Sequence, residues 1–215
     1  MNRFSLNQVD AKPITARIAQ IIASTEAEGP GNRFAIWFQG CPLRCPGCCN
    51  PEMLSFQGGM ERTVQSVCEE IRRAVELHSI EGITFLGGEP LSHASSAVPI
   101  AEYARNLGLS VMIFSGHILE EVHLLPDPNI PRLLVLADIL VDGPFMRDLP
   151  DNTRRWIGST NQRIHFLTDR YDANDPCWQE SNTLEIRLRG KELTVNGFPS
   201  RSAVGIWKRP RSNHK

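Results

Sequence analysis

The chain has 215 residues, 41% of them hydrophobic, with 23 Lys and Arg against 24 Asp and Glu and a formal net charge of −1. That length can bury a sizeable core in one domain, and the balanced charge gives no sign of a nucleic-acid or membrane surface. No apolar run approaches the roughly 20 residues that span a bilayer, and the N-terminal stretch TARIAQIIAS is broken by Arg17 and Gln20 with no cleavage pattern after it.

The first dozen residues read as an irregular lead. Thr15 to Ser24 is apolar and β-branched enough for a strand, closed by the turn EGPG from Glu28 to Gly31. Arg33 to Gln39, RFAIWFQ, is a short apolar run of the kind found in buried strands. It leads directly into CPLRCPGC. Thr63 to Ser79 predicts a helix: Val64, Val67, Cys68, Ile71 and Val75 recur at helical spacing, charged residues cover the other face, and Thr63 can cap the start. Cys68 lies on the apolar stripe and is expected to fill the core, while His78 should be on the surface. Gly82 to Leu86 predicts a buried strand ending in GGEP, Gly87 to Pro90. A helix should follow over Ser96 to Leu107, with Pro99 tolerable only in its first turn and Gly108 ending it.

Leu109 to Phe114 predicts the next strand, before Ser115-Gly116, and a helical stretch should begin near His117. Leu136 to Val141 predicts a strand ending in Asp142-Gly143-Pro144, and Arg163 to Leu167 one more. Asp169 to Asn182 is polar and patternless. Leu184 to Leu188 and Leu193 to Val195 alternate around Arg189-Gly190-Lys191-Glu192, a β-hairpin signal. The tail WKRPRSNHK is basic and reads as a solvated end. The expected organisation is a core over residues 1–168 and a C-terminal extension over 169–215. Strands alternating with helices imply an α/β fold with a mostly parallel sheet, in which ligands gather at the carboxyl ends of strands. Those ends carry the cysteine loop, GGEP, Ser115-Gly116 and DGPF, so four unusual segments should meet at one edge.

Cys41, Cys45 and Cys48 stand at C-x3-C-x2-C. Thiolates bind iron–sulfur clusters, and three of them leave one iron of a cubane open for a substrate or cosubstrate. Pro42, Pro46 and Gly47 favour a loop. The same spacing also suits a zinc knuckle, or a structural cluster completed by Cys68, Cys177 or a histidine. Cysteines clustered in this way fit a reducing cytoplasm better than a disulfide framework.

With GPGNRFAIWFQGCPLRCPGCCNPE, LGGEP, DILVDGPF and RWIGSTNQ in this order, the chain resembles the radical S-adenosylmethionine (SAM) superfamily from about Gly29 to Phe166. Within it, the chain is most similar to the activases of anaerobic ribonucleotide reductase. The resemblance implies an open, partial β/α barrel and a [4Fe-4S] cluster held by Cys41, Cys45 and Cys48. SAM would be contacted by Gly47, Cys48 and Cys49 and by the strand end Gly87, Gly88 and Glu89. It also implies an external one-electron donor, reductive cleavage of SAM to a 5′-deoxyadenosyl radical, and a glycyl-radical protein as partner. Asp142, Asn161 and Gln162 are candidates for cosubstrate or partner contacts, each equally well read as a turn or loop-capping residue. Cys49 and Cys177 are expected not to be ligands, and His93 and His117 to be loop or cap residues. Cys49 stands where the activases commonly carry an aromatic residue, and the fifty residues after GSTNQ exceed what they need. Two other functions compete: radical SAM chemistry on a small molecule or peptide, as in the compact 7-carboxy-7-deazaguanine synthases, and a non-catalytic zinc or electron-transfer module.

Overall fold

The computed structural model describes residues 12–190 and 192–197. The irregular lead and the basic tail lie outside them. Seven strands form one sheet: β1 Thr15–Thr25, β2 Arg33–Phe38, β3 Met60–Thr63, β4 Gly82–Gly87, β5 Ser110–Phe114, β6 Ile139–Asp142 and β7 Arg163–Phe166, in the order β3-β1-β2-β4-β5-β6-β7. β2, β4, β5 and β6 run parallel, while β1 and β3 on one side and β7 on the other are antiparallel additions. β3 and β7 are unpaired on their outer sides among the described residues, so the sheet is open. The hairpin β8 Leu184–Arg189 and β9 Glu192–Gly197 forms a separate two-stranded sheet.

The crossovers are α1 Val64–His78, α2 Ala94–Asn106 and α3 Ile130–Leu136. The period-2 alternation of strand side chains assigns the two faces. Phe34, Ile36, Phe38, Ile83, Phe85, Val111, Ile113 and Leu140 point to the helices and form the main core with Val67, Ile71 and Ala74 of α1. On the opposite face Ala35, Trp37 and Leu86 pack on Met53 of the cysteine loop. Met112, Ile139 and Val141 are covered by Ile157, Tyr171 and Trp178. The central strands are buried on both faces, which explains their uninterrupted apolar sequences.

Thr63 caps α1, its Oγ1 accepting from the Ser66 N–H at 3.1 Å. Cys68 is only half-buried and lies outside the main core, because the buried stripe of α1 runs through Val67, Ile71 and Ala74. Pro99 corrects a further expectation. α2 starts at Ala94, which puts Pro99 in its second turn. The missing N–H would have bonded the carbonyl of Ser95, which is an exposed residue. The apolar run before Asp142 divides differently from the sequence reading: Leu136 closes α3, and the strand begins at Ile139. The helical stretch near His117 is a 3₁₀ segment, Leu119–Leu124. No helix among the described residues is long and apolar enough to cross a membrane.

Candidate active site

Each parallel strand ends at one edge, and the loops that follow enclose a cavity of about 990 Å³. Cys41, Cys45, Cys48 and Cys49 line it with Gly87, Gly88, Glu89, Ser115, Gly116 and Gly143. The convergence expected from the strand order is therefore present. The cysteine loop starts from β2 and folds back on itself, the Gly40 N–H donating to the Met53 carbonyl at 2.9 Å and the Cys41 N–H to that of Leu54 at 3.2 Å. Gly47 has φ +79°, and a Cβ there would strike the Arg147 side chain. Cys68 and Cys177 are not among the cavity-lining residues.

The three thiols of the motif differ. Cys41 is buried, and burial pushes its thiol up against hydrogen bonds from the Leu43 and Arg44 amides. Cys48 is held down to about 6, first by the neighbouring Cys49 thiol and then, against burial, by the Asn50 amide at 3.4 Å. Cys49 is raised, above all because it is the proton-bearing partner of Cys48. Among the described residues no three His, Cys, Asp or Glu side chains are gathered tightly enough to hold one metal ion. A cubane asks for something else, since it takes one thiolate at each of several corners. Three thiols spread around a cavity, with free space beside them, fit that requirement.

GGEP is built as a clasp between neighbouring strand ends. The Gly88 N–H donates to the Phe38 carbonyl at 2.8 Å and the Glu89 N–H to that of Gly40 at 2.9 Å. A Cβ on Gly88 would lie 2.2 Å from the Gly40 carbonyl oxygen, so this glycine is demanded by the approach of two backbones. The Glu89 side chain is 1% exposed. Its Oε1 accepts from the Leu91 N–H at 2.9 Å and the Ser115 hydroxyl at 3.0 Å, and its Oε2 from the Gly116 N–H at 2.9 Å. Burial raises this carboxyl, and the hydrogen bonds oppose the rise. Glu89 therefore ties the end of β4 to the end of β5.

The other candidate residues have internal partners. Asp142 is fully buried and does not line the cavity. It accepts from the Leu119 N–H at 2.8 Å and from Arg163 Nε at 3.0 Å and Nη2 at 2.5 Å. His165 Nε2 stands 3.0 Å away without hydrogen-bond alignment. Burial alone would raise Asp142, but Arg163, the Leu119 amide and His165 together hold it below its ordinary value. Gln162 Oε1 accepts from the Gly158 and Ser159 amides, both at 3.1 Å, while its Nε2 donates to the Gly143 carbonyl at 3.1 Å. Asn161 Nδ2 donates to the Pro144 carbonyl at 2.8 Å. These two side chains join RWIGSTNQ to DGPF, and Gln162 also lines the cavity. His93 stacks on Phe38 with ring centroids 5.0 Å apart and precedes α2, and the His117 N–H bonds Ser115 Oγ at 3.1 Å.

Several residues of the site lie outside the motifs. Glu28, read in the sequence only as part of a turn, lines the cavity at 4% exposure, its carboxyl pushed up to about 7 by burial. Its Oε1 accepts from the Gly197 N–H of β9 at 2.7 Å. Trp156 is buried with a left-handed φ of +61° and meets Trp178 edge-on at 5.1 Å. Gln179 to Asn182, at the end of the polar stretch without pattern, form part of the wall.

Residues 27–165 match the family described as 4Fe-4S single cluster domain. The chain belongs to this family. That description agrees with the [4Fe-4S] cluster that the motif resemblance implies. The anaerobic ribonucleoside-triphosphate reductase-activating protein of Escherichia coli K12 is 30% identical over 148 residues, 65% of this chain and 91% of that protein. The protein of that name from enterobacteria phage T4 is 29% identical over 66% of this chain and 88% of its own length. A putative glycyl-radical enzyme activating enzyme of Haemophilus influenzae is 36% identical over 72% of this chain and 61% of its own length.

Proposed function

We propose that the protein is a glycyl-radical-generating activase that cleaves SAM reductively at a [4Fe-4S] cluster and acts on a partner such as anaerobic ribonucleotide reductase. One observation carries the reading: three motif thiols and the ends of four parallel strands share one cavity, in a chain of the single-cluster family. Cys41, Cys45 and Cys48 would hold the cluster, leaving one iron for SAM. With SAM at that iron and one electron from an external donor, the chemistry supplied would be cleavage of SAM to methionine and a 5′-deoxyadenosyl radical, which would become 5′-deoxyadenosine by taking a hydrogen atom from a glycine α-carbon of the partner.

The chain's own residues prepare the place. Glu89 fixes Gly87-Gly88 against Ser115-Gly116, so two strand ends face the cavity in a set arrangement. The Gly88 and Glu89 N–H groups are already bonded to β2 and the cysteine loop, which leaves main-chain carbonyls to receive an amino group. Leu86, Phe114, Phe145 and Ile157 give the cavity an apolar portion, which limits water around a reactive species.

Anaerobic reconstitution with iron and sulfide, followed by reductant, SAM and the anaerobic reductase of the same genome, tests the proposal. The expected result is 5′-deoxyadenosine in step with a glycyl-radical signal in electron paramagnetic resonance. A reduced, cluster-loaded protein that yields 5′-deoxyadenosine but no such signal would transfer the reading to a small-molecule or peptide substrate.

A further inference from the structure

The extension after β7 is attached to the core by polar contacts at two places, the second of them buried. Arg155, itself buried, donates from Nη1 to the Cys177 carbonyl at 3.1 Å and to Glu180 Oε2 at 2.5 Å, and from Nη2 to Thr183 Oγ1 at 3.1 Å. Asn182 Oδ1 accepts from the Trp156 N–H at 2.8 Å. Further on, the hairpin grips the end of β1 and the turn after it. Arg187 Nη2 donates to the Ser24 carbonyl at 2.5 Å, Asn196 Nδ2 to Thr25 Oγ1 at 2.9 Å, and the Gly197 N–H to Glu28. Asn196, Thr25 and Glu28 are all buried in this seam. Groups buried and paired in this way belong to a fixed contact, because separating them would leave each unsatisfied.

The consequence is an added cavity wall. Gln179, Ser181 and Asn182 line the cavity, and among the described residues none bonds the side chains of Gln179 or Ser181. The character of the rest of the lining limits what this wall can meet. None of the described lining residues is lysine, arginine or histidine, while Glu28, Glu89, Asp151 and Glu180 contribute carboxyls. The two guanidiniums behind the wall are engaged, Arg154 by Asp151 at 2.6 Å and Arg155 by Glu180. Apart from the open iron that would take the carboxylate of SAM, the described lining offers a phosphate or carboxylate no cationic side chain. Side-chain amides and a hydroxyl instead offer both donors and acceptors, the complement of peptide N–H and C=O groups.

We infer that Gln179 and Ser181 form a recognition wall, supplied by the extension, for an uncharged stretch of polypeptide main chain entering the cavity. This inference rests on the activase reading and deepens it by placing the partner's reacting segment against residues beyond the region that matches the family. The two side chains are positioning residues. They orient the incoming segment and take no part in generating the radical.

The test compares wild type with the double variant Gln179→Ala/Ser181→Ala and with Ser181→Trp, which fills the space in front of the wall. All three are assayed for iron content, for the cluster's absorption, and for glycyl radical formed on the anaerobic reductase of the same genome. Iron content and the cluster's absorption should equal wild type in both variants, which also checks that they fold. The double variant should raise KM for the reductase about tenfold, the loss of roughly 1.4 kcal/mol of hydrogen bonding, with the saturating rate unchanged. Ser181→Trp should lower radical formation further. Wild-type KM and radical yield in both variants would overturn the wall and leave the activase reading intact. Absence of a glycyl radical with wild type itself would overturn the activase reading and the peptide assignment together.

Discussion

Glu89→Gln is the most informative single substitution at the strand ends. The change keeps the size and shape of a side chain that is 1% exposed. It also replaces one oxygen by an NH₂ group that cannot accept a hydrogen bond. Glu89 uses both oxygens: Oε1 faces the Leu91 N–H and Oε2 faces the Gly116 N–H. Whichever way the new amide is turned, one main-chain N–H meets another N–H. The Ser115 hydroxyl can rotate to suit either arrangement, but neither backbone amide can. The conclusion holds for a protonated Glu89 as well, since a carboxyl O–H can still accept.

A hydrogen bond to a charged acceptor contributes about 1.5–3 kcal/mol, and the donor left buried adds to the loss. The expected destabilisation is about 2–3 kcal/mol, a fall of roughly 30- to 150-fold in the folding equilibrium constant. Urea unfolding of the cluster-free protein under anaerobic conditions measures it. Glu121→Gln, on an exposed carboxyl, is the control and should change stability by less than about 0.5 kcal/mol. Because the clasp joins the cysteine loop to two strand ends, iron loading of Glu89→Gln should fall too. An unfolding midpoint equal to wild type would refute the argument that both oxygens are needed as acceptors.

Iron analysis after reconstitution should show cluster loss in Cys41→Ser, Cys45→Ser and Cys48→Ser, and wild-type iron in Cys49→Ala, Cys68→Ala and Cys177→Ala; loss in any of the last three would overturn the ligand assignment. Glu28 has a folded-state pKa raised from 4.5 to about 7, so the stability it gives as a neutral acid is fully present below pH 4.5 and is lost as pH rises through 7. Wild type should therefore lose about 3 kcal/mol relative to Glu28→Gln across that window; a difference between the two urea stabilities that stays flat with pH would contradict it. Gly88→Ala places a Cβ against the Gly40 carbonyl and should cost about 1–3 kcal/mol, read as a lower unfolding midpoint together with reduced iron uptake.

The parallel core was legible because its strands are buried on both faces and its helices on one. Apolar runs of five or six residues stood out as β2, β4 and β5, and the 3.6-residue stripe with Thr63 before it stood out as α1. β3 was not legible. MERT is short and polar, and it becomes a strand through pairing with the outer edge of β1. The α3–β6 boundary was hidden inside LLVLADILV, where periodicity alone does not divide a run that is apolar but for Asp138. The break falls at Asp138, which is buried and bonded to Arg105 Nη1, the Val111 N–H and Thr168 Oγ1. Glu28 and the wall at Gln179 to Asn182 were invisible for a different reason. Each belongs to the cavity only through contacts more than a hundred residues away in sequence or through a segment with no regular structure. Local pattern carries no record of such contacts.

The two ends of the parallel sheet meet the same demand in opposite ways, and the difference explains where the cavity lies. At the amino ends, Arg33 is fully buried. It donates to Thr84 Oγ1 at 2.6 Å, to the Pro30 carbonyl at 3.0 Å, to Ser110 Oγ at 2.9 Å and to the Ile83 carbonyl at 2.5 Å. A buried guanidinium must place its donors, and here they are placed on the loop and strands around it, so this end is filled. At the carboxyl ends the buried ionisable group is Glu89, which gathers amide donors from two turns and holds them at the rim. Its carboxylate closes the gap between β4 and β5 from the side and leaves the space above the strand ends free for the thiols of Cys41, Cys45 and Cys48. A filled amino end and a clasped, open carboxyl end follow from two ionisable residues of opposite sign at opposite ends of the same strands.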